Sequence, residues 1–281
     1  MQMGGAGFGA RLAARVTKTA PAVVGIDPHL DRIPGMPTDR PAQAAAVAAF
    51  SARVIEAVAD VVAAVKPQVA FFEQLGAPGV AALEETCRRA KDAGLLVILD
   101  AKRGDIGSTA RAYVQATLAD DGPLGADAVT LSPYLGPESL APFVDHAKAH
   151  DKGLFVLLRT SNPGAGPWQR DTALAEHVAS WVREVNRDGK GTAGVVVGAT
   201  LPHEAAHWRA AIDDAWMLVP GFGAQGATAD DVRGHFLPDG TGALVTSSRA
   251  VLFPASGYDA ADSITKSIRD RAKALVDALD R

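Results

Sequence analysis

Two acids flank a lysine in the six residues Asp100-Ala101-Lys102-Arg103-Gly104-Asp105, directly after the apolar run Leu95–Leu99. If that run is a β-strand, its side chains alternate between faces, so Asp100 and Lys102 project the same way. A fixed acid and base at one strand end can stabilise charge as it develops on a bound molecule. Two other apolar runs end in the same residue types: Asp27 in Val24-Gly25-Ile26-Asp27-Pro28-His29, and Lys66 in Val65-Lys66-Pro67-Gln68. One such charge reads as an ordinary surface residue. Three successive runs ending in Asp, Lys and Asp-x-Lys read as a paired network, because inward-pointing charges are costly alone.

Three further segments bear chemistry. Gly221–Gly226 in Pro220-Gly221-Phe222-Gly223-Ala224-Gln225-Gly226 fits G-x-G-x-x-G, which alone suggests a dinucleotide fold. It comes late, about 55 residues from the end, and Arg249 rather than an acid closes the next apolar run. Backbone N–H groups of such a loop can still cradle a phosphate, and Arg249 can add a bidentate contact. Thr160-Ser161-Asn162-Pro163-Gly164 reads as a turn after a strand, with Ser161 able to bond a ligand. His203-Glu204-Ala205-Ala206-His207 fits H-E-x-x-H, but it starts a helix after Pro202 and spacing nominates no third ligand. A solvated helix start is the better reading there, and no metal is expected.

The elements that must position these residues are short strands alternating with Ala-rich helices. Strands are expected at Val23–Asp27, Val65–Val69, Leu95–Asp100, Ala128–Leu131, Leu154–Arg159, Gly194–Val197, Met217–Val219 and Leu244–Thr246. Helices are expected at Pro41–Ala64, Gly79–Ala93, Pro137–His150, Thr172–Val185 and Ala260–Leu279. Short, continuously apolar strands suit a parallel sheet covered by helices. Eight alternations point to an α/β chain forming a (β/α)8 TIM barrel, with an open doubly wound sheet as the rival. No linker composition divides residues 1–281, so one catalytic domain is expected, with residues 1–20 a short N-terminal helical extension. In such a barrel, functional residues belong at the C-terminal strand ends.

Composition narrows the function. The 281 residues are 48% hydrophobic and carry a formal net charge of -4, so a large core is available and a general nucleic-acid binder is disfavoured. No apolar run approaches the roughly 18 residues of a membrane span, and the N-terminus lacks the apolar stretch of a signal peptide. A soluble cytoplasmic protein is expected. The single cysteine, Cys87, excludes an intramolecular disulfide and reads as a buried structural thiol.

Asp100-x-Lys102-x-x-Asp105, preceded by Lys66 and Asp27, resembles the Lys/Asp tetrad of the orotidine 5′-phosphate decarboxylases. Gly25-Ile26-Asp27-Pro28-His29, Lys66-Pro67-Gln68 with Phe71-Phe72-Glu73, and Thr160-Ser161-Asn162-Pro163-Gly164 are similar to the longer, type 2 branch of that family. The resemblance implies decarboxylation of orotidine 5′-phosphate to UMP without a cofactor. It implies catalytic roles for Lys66, Asp100, Lys102 and Asp105, with Lys102 the proton donor. Asp27 and Lys66 would then bind ribose hydroxyls, Ser161 the pyrimidine amide, and Gln225 and Arg249 the phosphate. It further implies a homodimer in which Asp105, Ile106 and Thr109 reach the neighbouring subunit's site. A sugar-phosphate decarboxylase, a Schiff-base aldolase or a non-catalytic ligand-binding barrel are the competing readings.

Overall fold

Residues 22–26, 64–67 and 96–99 show the alternation that builds the barrel. Val23, Ala64, Leu96 and Ile98 pack in one buried cluster, while Val24, Val65, Val97 and Leu99 pack in another. The first cluster fills the interior of a closed barrel, and the second joins the strands to surrounding helices. The structure, a computed structural model, describes residues 7–169, 173–223, 226–258 and 264–280. Its strands are β1 (Ala22–Ile26), β2 (Ala64–Pro67), β3 (Leu96–Arg103), β4 (Ala128–Leu131), β5 (Gly153–Arg159), β6 (Ala193–Val197), β7 (Met217–Pro220) and β8 (Ala243–Ser247). They pair in parallel in chain order, and β8 closes on β1. The expected (β/α)8 TIM barrel is the observed fold.

In chain order, the helices are α1 (Gly7–Lys18), α2 (Arg40–Val58), α3 (Ala70–Glu73), α4 (Ala77–Asp92), α5 (Gly107–Thr117) and α6 (Pro137–Ala149). There follow α7 (Ala165–Gln169), α8 (Leu174–Val185), α9 (Pro202–Ala211), α10 (Ala229–Arg233), α11 (Arg249–Leu252) and α12 (Ile264–Leu279). None of the described helices is long and apolar enough to cross a membrane. The start of α2 shows how local sequence sets a boundary. Asp39 accepts the Ala42 N–H at 3.0 Å, and a proline sits in the first turn, where its missing N–H costs nothing. Cys87 is fully buried on α4, and burial pushes its thiol up to about 12, which keeps it protonated.

Helix α1 closes the N-terminal end of the barrel. Its Phe8, Leu12 and Val16 join the interior cluster, and Phe8 meets Phe155 edge-on at 6.1 Å between centroids. Gly153 is required there, because a Cβ would stand 2.3 Å from the Phe8 ring. Arg11 binds Asp127 at 2.5 Å and the Asp151 carbonyl at 2.9 Å, and Arg15 caps the carbonyls of Ala59 and Val62. With that end plugged, the opposite, C-terminal strand ends form the open face.

Several boundaries differ from expectation for identifiable reasons. Helix α2 stops at Val58, and Ala64, expected to end it, opens β2 instead. Strand β2 ends at Pro67, whose ring has no N–H for a further rung, and Val69 caps α3. Strand β3 runs three residues beyond the expected Asp100, through a bulge described below. Thr172 and residues 260–263, expected in helices, lie outside the described residues.

Candidate active site at the strand ends

Alternation along β2 and β3 carries Lys66 and Asp100 to the interior face. Ala64 pairs with Leu96, so the next inward residues, Lys66 and Ile98, are level, and the lysine stem reaches one step further to Asp100. Lys66 Nζ lies 2.5 Å from Asp100 Oδ2, with the two side chains 8% and 9% exposed. Lys102 Nζ lies 2.5 Å from Asp100 Oδ1 but is 46% exposed, so it faces the open end. Gln68 Nε2 donates to Oδ2 at 3.0 Å, and Thr130 Oγ1 donates to Oδ1 at 3.1 Å. Each carboxylate oxygen therefore accepts two hydrogen bonds, which accounts for its lone pairs.

The charges decide the protonation states. Burial works against an ionised Asp100, but the adjacent Lys66 and Lys102 outweigh it and hold the carboxyl below its usual range. Burial likewise opposes a charged Lys66, and Asp100 and then Asp27 overcome it, raising its pKa above the ordinary lysine value. The result is a row of alternating sign, Lys66⁺–Asp100⁻–Lys102⁺, with only the last member open to solvent.

Lys102 reaches this position by a route that strand alternation did not foresee. Between Leu99 and Arg103, β3 advances four residues while its partners Val129 and Leu131 on β4 advance two. Within this bulge Lys102 has φ 47°, in the left-handed region that L-residues avoid. Asp100 and Lys102 do meet, as expected, but through a distorted segment rather than a regular strand.

The other sequence candidates are placed as follows. Asp105, beyond β3, accepts the Ile106 N–H at 2.8 Å, and it stands outside the Lys66–Asp100–Lys102 contacts of its own chain. Ile106 is 56% exposed and Thr109 is exposed at the start of α5. Asp27, just after β1, accepts the Ser248 hydroxyl at 2.6 Å, and its Oδ1 is buried with no partner among the described residues. A Cβ at Gly25 would fall 2.8 Å from Ser248 Cβ, so glycine permits that approach of β8 to β1. Ser161 follows β5 and rests on Gly198, where a Cβ would lie 2.8 Å from its own. The neighbouring Thr160 is held by Gln169, which accepts its N–H at 2.9 Å and donates to its hydroxyl at 2.8 Å. Arg249 is exposed after β8. The glycine loop after β7 has φ of 112°, 72° and 89° at Gly221, Gly223 and Gly226, and Gly223 abuts Ala250 beside Arg249. Gln225 lies outside the described residues.

Two observations go beyond the sequence reading. Thr130, Gln68 and Ser248 bind the acidic groups of the site, and sequence reasoning assigned none of them a role. A polar residue inside the otherwise apolar strand Ala128–Leu131 was the available signal for Thr130. The H-E-x-x-H segment is a clamp: Glu204 binds the Arg159 guanidinium at 2.6 and 2.7 Å and Trp208 Nε1 at 2.9 Å. Those hydrogen bonds, chiefly from Arg159, bring the Glu204 pKa down to about 2. His207 Nε2 pairs with Glu176 on α8 at 3.0 Å. The segment thus ties α9 to β5 and α8, and no cluster of three or more His, Cys, Asp or Glu poised for a metal occurs among the described residues.

Comparison with known proteins agrees with this geometry. Residues 24–261 match the model of the orotidine 5′-phosphate decarboxylase / HUMPS family. The chain is 45% identical over 266 residues to orotidine 5′-phosphate decarboxylase of Rhodopirellula baltica, covering 88% of each chain. It superposes on the OMP decarboxylase structure of Leishmania donovani with TM-score 0.78 at 38% identity, covering 98% of both. A Streptomyces avermitilis crystal structure, provisionally given the same activity, aligns with TM-score 0.85 and 38% identity over 98% of this chain and 95% of that one. With its closed barrel, its Lys66–Asp100–Lys102 row and these relatives, the chain belongs to the orotidine 5′-phosphate decarboxylase family.

Proposed function

We propose that this protein converts orotidine 5′-phosphate to UMP and CO2, acting as a cytoplasmic homodimer whose whole chain forms one catalytic barrel. The observation that carries the reading is the row Lys66–Asp100–Lys102, with its one solvent-facing member a lysine at the open end. Loss of CO2 from C6 of orotate leaves an electron pair in the plane of the ring, where the π system cannot delocalise it. Fixed positive charge must stabilise it, and a preorganised ammonium does so without reorganisation during the reaction. Lys102 supplies that charge, and then transfers a proton to C6, so the C6–CO2 bond is replaced by C6–H. Asp100 holds the Lys102 ammonium in place through their direct contact, and Lys66 keeps Asp100 ionised in a buried setting.

The remaining roles are those the family resemblance implies, set on the open face. Asp27, with one carboxylate oxygen buried and unpartnered, suits a sugar hydroxyl, and Lys66 is the neighbouring donor. Ser161 binds the base from β5, while Arg249 and the glycine loop bearing Gln225 hold the phosphate. Asp105, Ile106 and Thr109 serve the site of the other subunit. Support for that comes from the exposed apolar residues Ile106, Tyr134 and Leu135, which project from the neighbouring loops after β3 and β4. Those loops touch, since a Cβ on Gly104 would lie 2.9 Å from the Ser132 carbonyl.

The test is direct. Chelator-treated protein mixed with orotidine 5′-phosphate is expected to show the absorbance change of conversion to UMP, and Lys102→Ala is expected to abolish it while keeping the fold. A folded wild-type protein with no turnover defeats the reading. Trapping of a reducible lysine adduct with a sugar phosphate would replace it with an aldolase.

A further inference from the structure

We propose that Thr130 is a positioning residue for the reaction: one hydroxyl fixes both the Asp100 carboxylate and the backbone that carries Lys102. The inference rests on the decarboxylase reading, and it concerns a residue that touches neither substrate nor reacting atoms.

Thr130 lies in β4 at 1% exposure, between the apolar residues Val129 and Leu131. A hydroxyl at that depth is costly unless bonded. Its bonds fix its orientation by counting. Ala101 and Lys102 donate their backbone N–H groups to Thr130 Oγ1 at 3.0 and 2.9 Å. A hydroxyl accepts two hydrogen bonds and donates one, so its acceptor capacity is filled and its single proton goes to Asp100 Oδ1, 3.1 Å away.

These three bonds coincide with the irregular segment of β3. Across the bulge the ladder to β4 is interrupted between Leu99 and Arg103, and the amides of Ala101 and Lys102 turn to the Thr130 side chain. The ladder resumes where Ser132 N–H donates to the Arg103 carbonyl at 2.8 Å. Lys102 itself is held at φ 47°, a conformation that persists only where its surroundings over-determine it. Thr130 supplies that determination on one side while orienting Asp100, the acceptor of the Lys102 ammonium, on the other. The hydroxyl therefore sets the distance and direction of Lys102 from the remainder of the row.

Valine has the shape of threonine without the hydroxyl, and serine has the hydroxyl without the methyl, so the two variants separate chemistry from packing. Thr130→Val is expected to lower kcat for orotidine 5′-phosphate about 10²-fold, as expected for a displaced catalytic group. KM should stay within about threefold, because the phosphate, ribose and base contacts lie on other strands. Thr130→Ser is expected to recover kcat to within about fivefold of wild type. Thr130→Ala is made alongside, and any folded variant lacking the hydroxyl is read by the same split. The proposal is overturned if a folded variant without the hydroxyl keeps kcat within about threefold, or if Thr130→Ser is as impaired as Thr130→Val. It also fails if neither hydroxyl-free variant folds, since the role is then structural. Turnover by the wild type is measured in the same assay, so a failed decarboxylase reading shows itself separately.

Discussion

Replacing Lys66 with methionine should expose the energetics of the buried row. The substitution removes an ammonium 2.5 Å from Asp100 Oδ2, in a pair less than one-tenth exposed on either side. Breaking such a pair typically costs about 3–5 kcal/mol, because the surviving charge is stranded. Asp100 keeps Lys102, Gln68 and Thr130, so the lower end, about 3 kcal/mol, is the expected loss. For a chain of 281 residues the entropy of unfolding is about 0.6 kcal/mol/K, which converts that loss into a fall in Tm of about 5 °C. Asp100→Asn should cost a similar amount by stranding Lys66. Lys66→Met with Asp100→Asn removes both charges, and the double variant should fall short of the summed losses by about 2 kcal/mol. The sign with pH is also fixed. The depressed Asp100 pKa contributes stability above the ordinary carboxylate range and loses it as pH falls below, and the raised Lys66 pKa contributes below the ordinary lysine value and loses it as pH rises above. The deficit of Lys66→Met should therefore be widest at neutral pH and narrow in acid. Urea or thermal unfolding of the four proteins measures the cycle. Additivity within about 0.5 kcal/mol would refute the coupling, as would a deficit that widens in acid.

Three further outcomes are expected. Inactive Asp105→Ala and inactive Lys102→Ala chains, once exchanged, should regain activity in mixed dimers if Asp105 serves the partner's site; exchange shown by mass without regained turnover would count against sharing. Gly198→Ala places a methyl 2.8 Å from Ser161 Cβ and 3.0 Å from its backbone nitrogen, so KM should rise about 10-fold through displaced base contacts, and an unchanged KM would remove Ser161 from the base site. Glu204→Gln should lower Tm at neutral pH, and the gap to wild type should close as pH falls from 4.5 towards about 2, where Glu204 itself protonates; a gap constant over that range would mean that the Arg159 pair does not stabilise the fold.

Much of the barrel was readable because its signal is local. Short, continuously apolar runs such as Leu95–Leu99 fit a strand covered on both faces, and eight of them alternating with longer helical stretches leave few topologies. The same alternation brought Lys66 and Asp100 to the interior, since period two extends without change to the last regular residue of each strand. What failed were the ends. Residues 62–64 could extend α2 or begin β2 on propensity alone, and only pairing of Ala64 with Val23 and Leu96 settles it. The glutamate of H-E-x-x-H gave no sign of its partner, because Arg159 is 45 residues away and meets it only across β5 and α9.

The bulge at Lys102 is the deepest of these failures, and it bears on how the site works. A regular strand would have put Asp100 and Lys102 on one face two residues apart, about 7 Å along the chain. It would also have satisfied the amides of 101 and 102 by the ladder and left the hydroxyl of Thr130 without acceptor bonds to make. The observed strand instead takes in two extra residues, and the left-handed turn at Lys102 accompanies a direct 2.5 Å contact with Asp100. Nothing in Asp-Ala-Lys-Arg-Gly announces this, because the determinant lies 28 residues later in β4. Backbone strain at a charged residue is unfavourable unless something far along the chain holds it. In this barrel the hydroxyl of Thr130 is placed to do so, which makes a residue with no ionisable group a controlling element of the charge row.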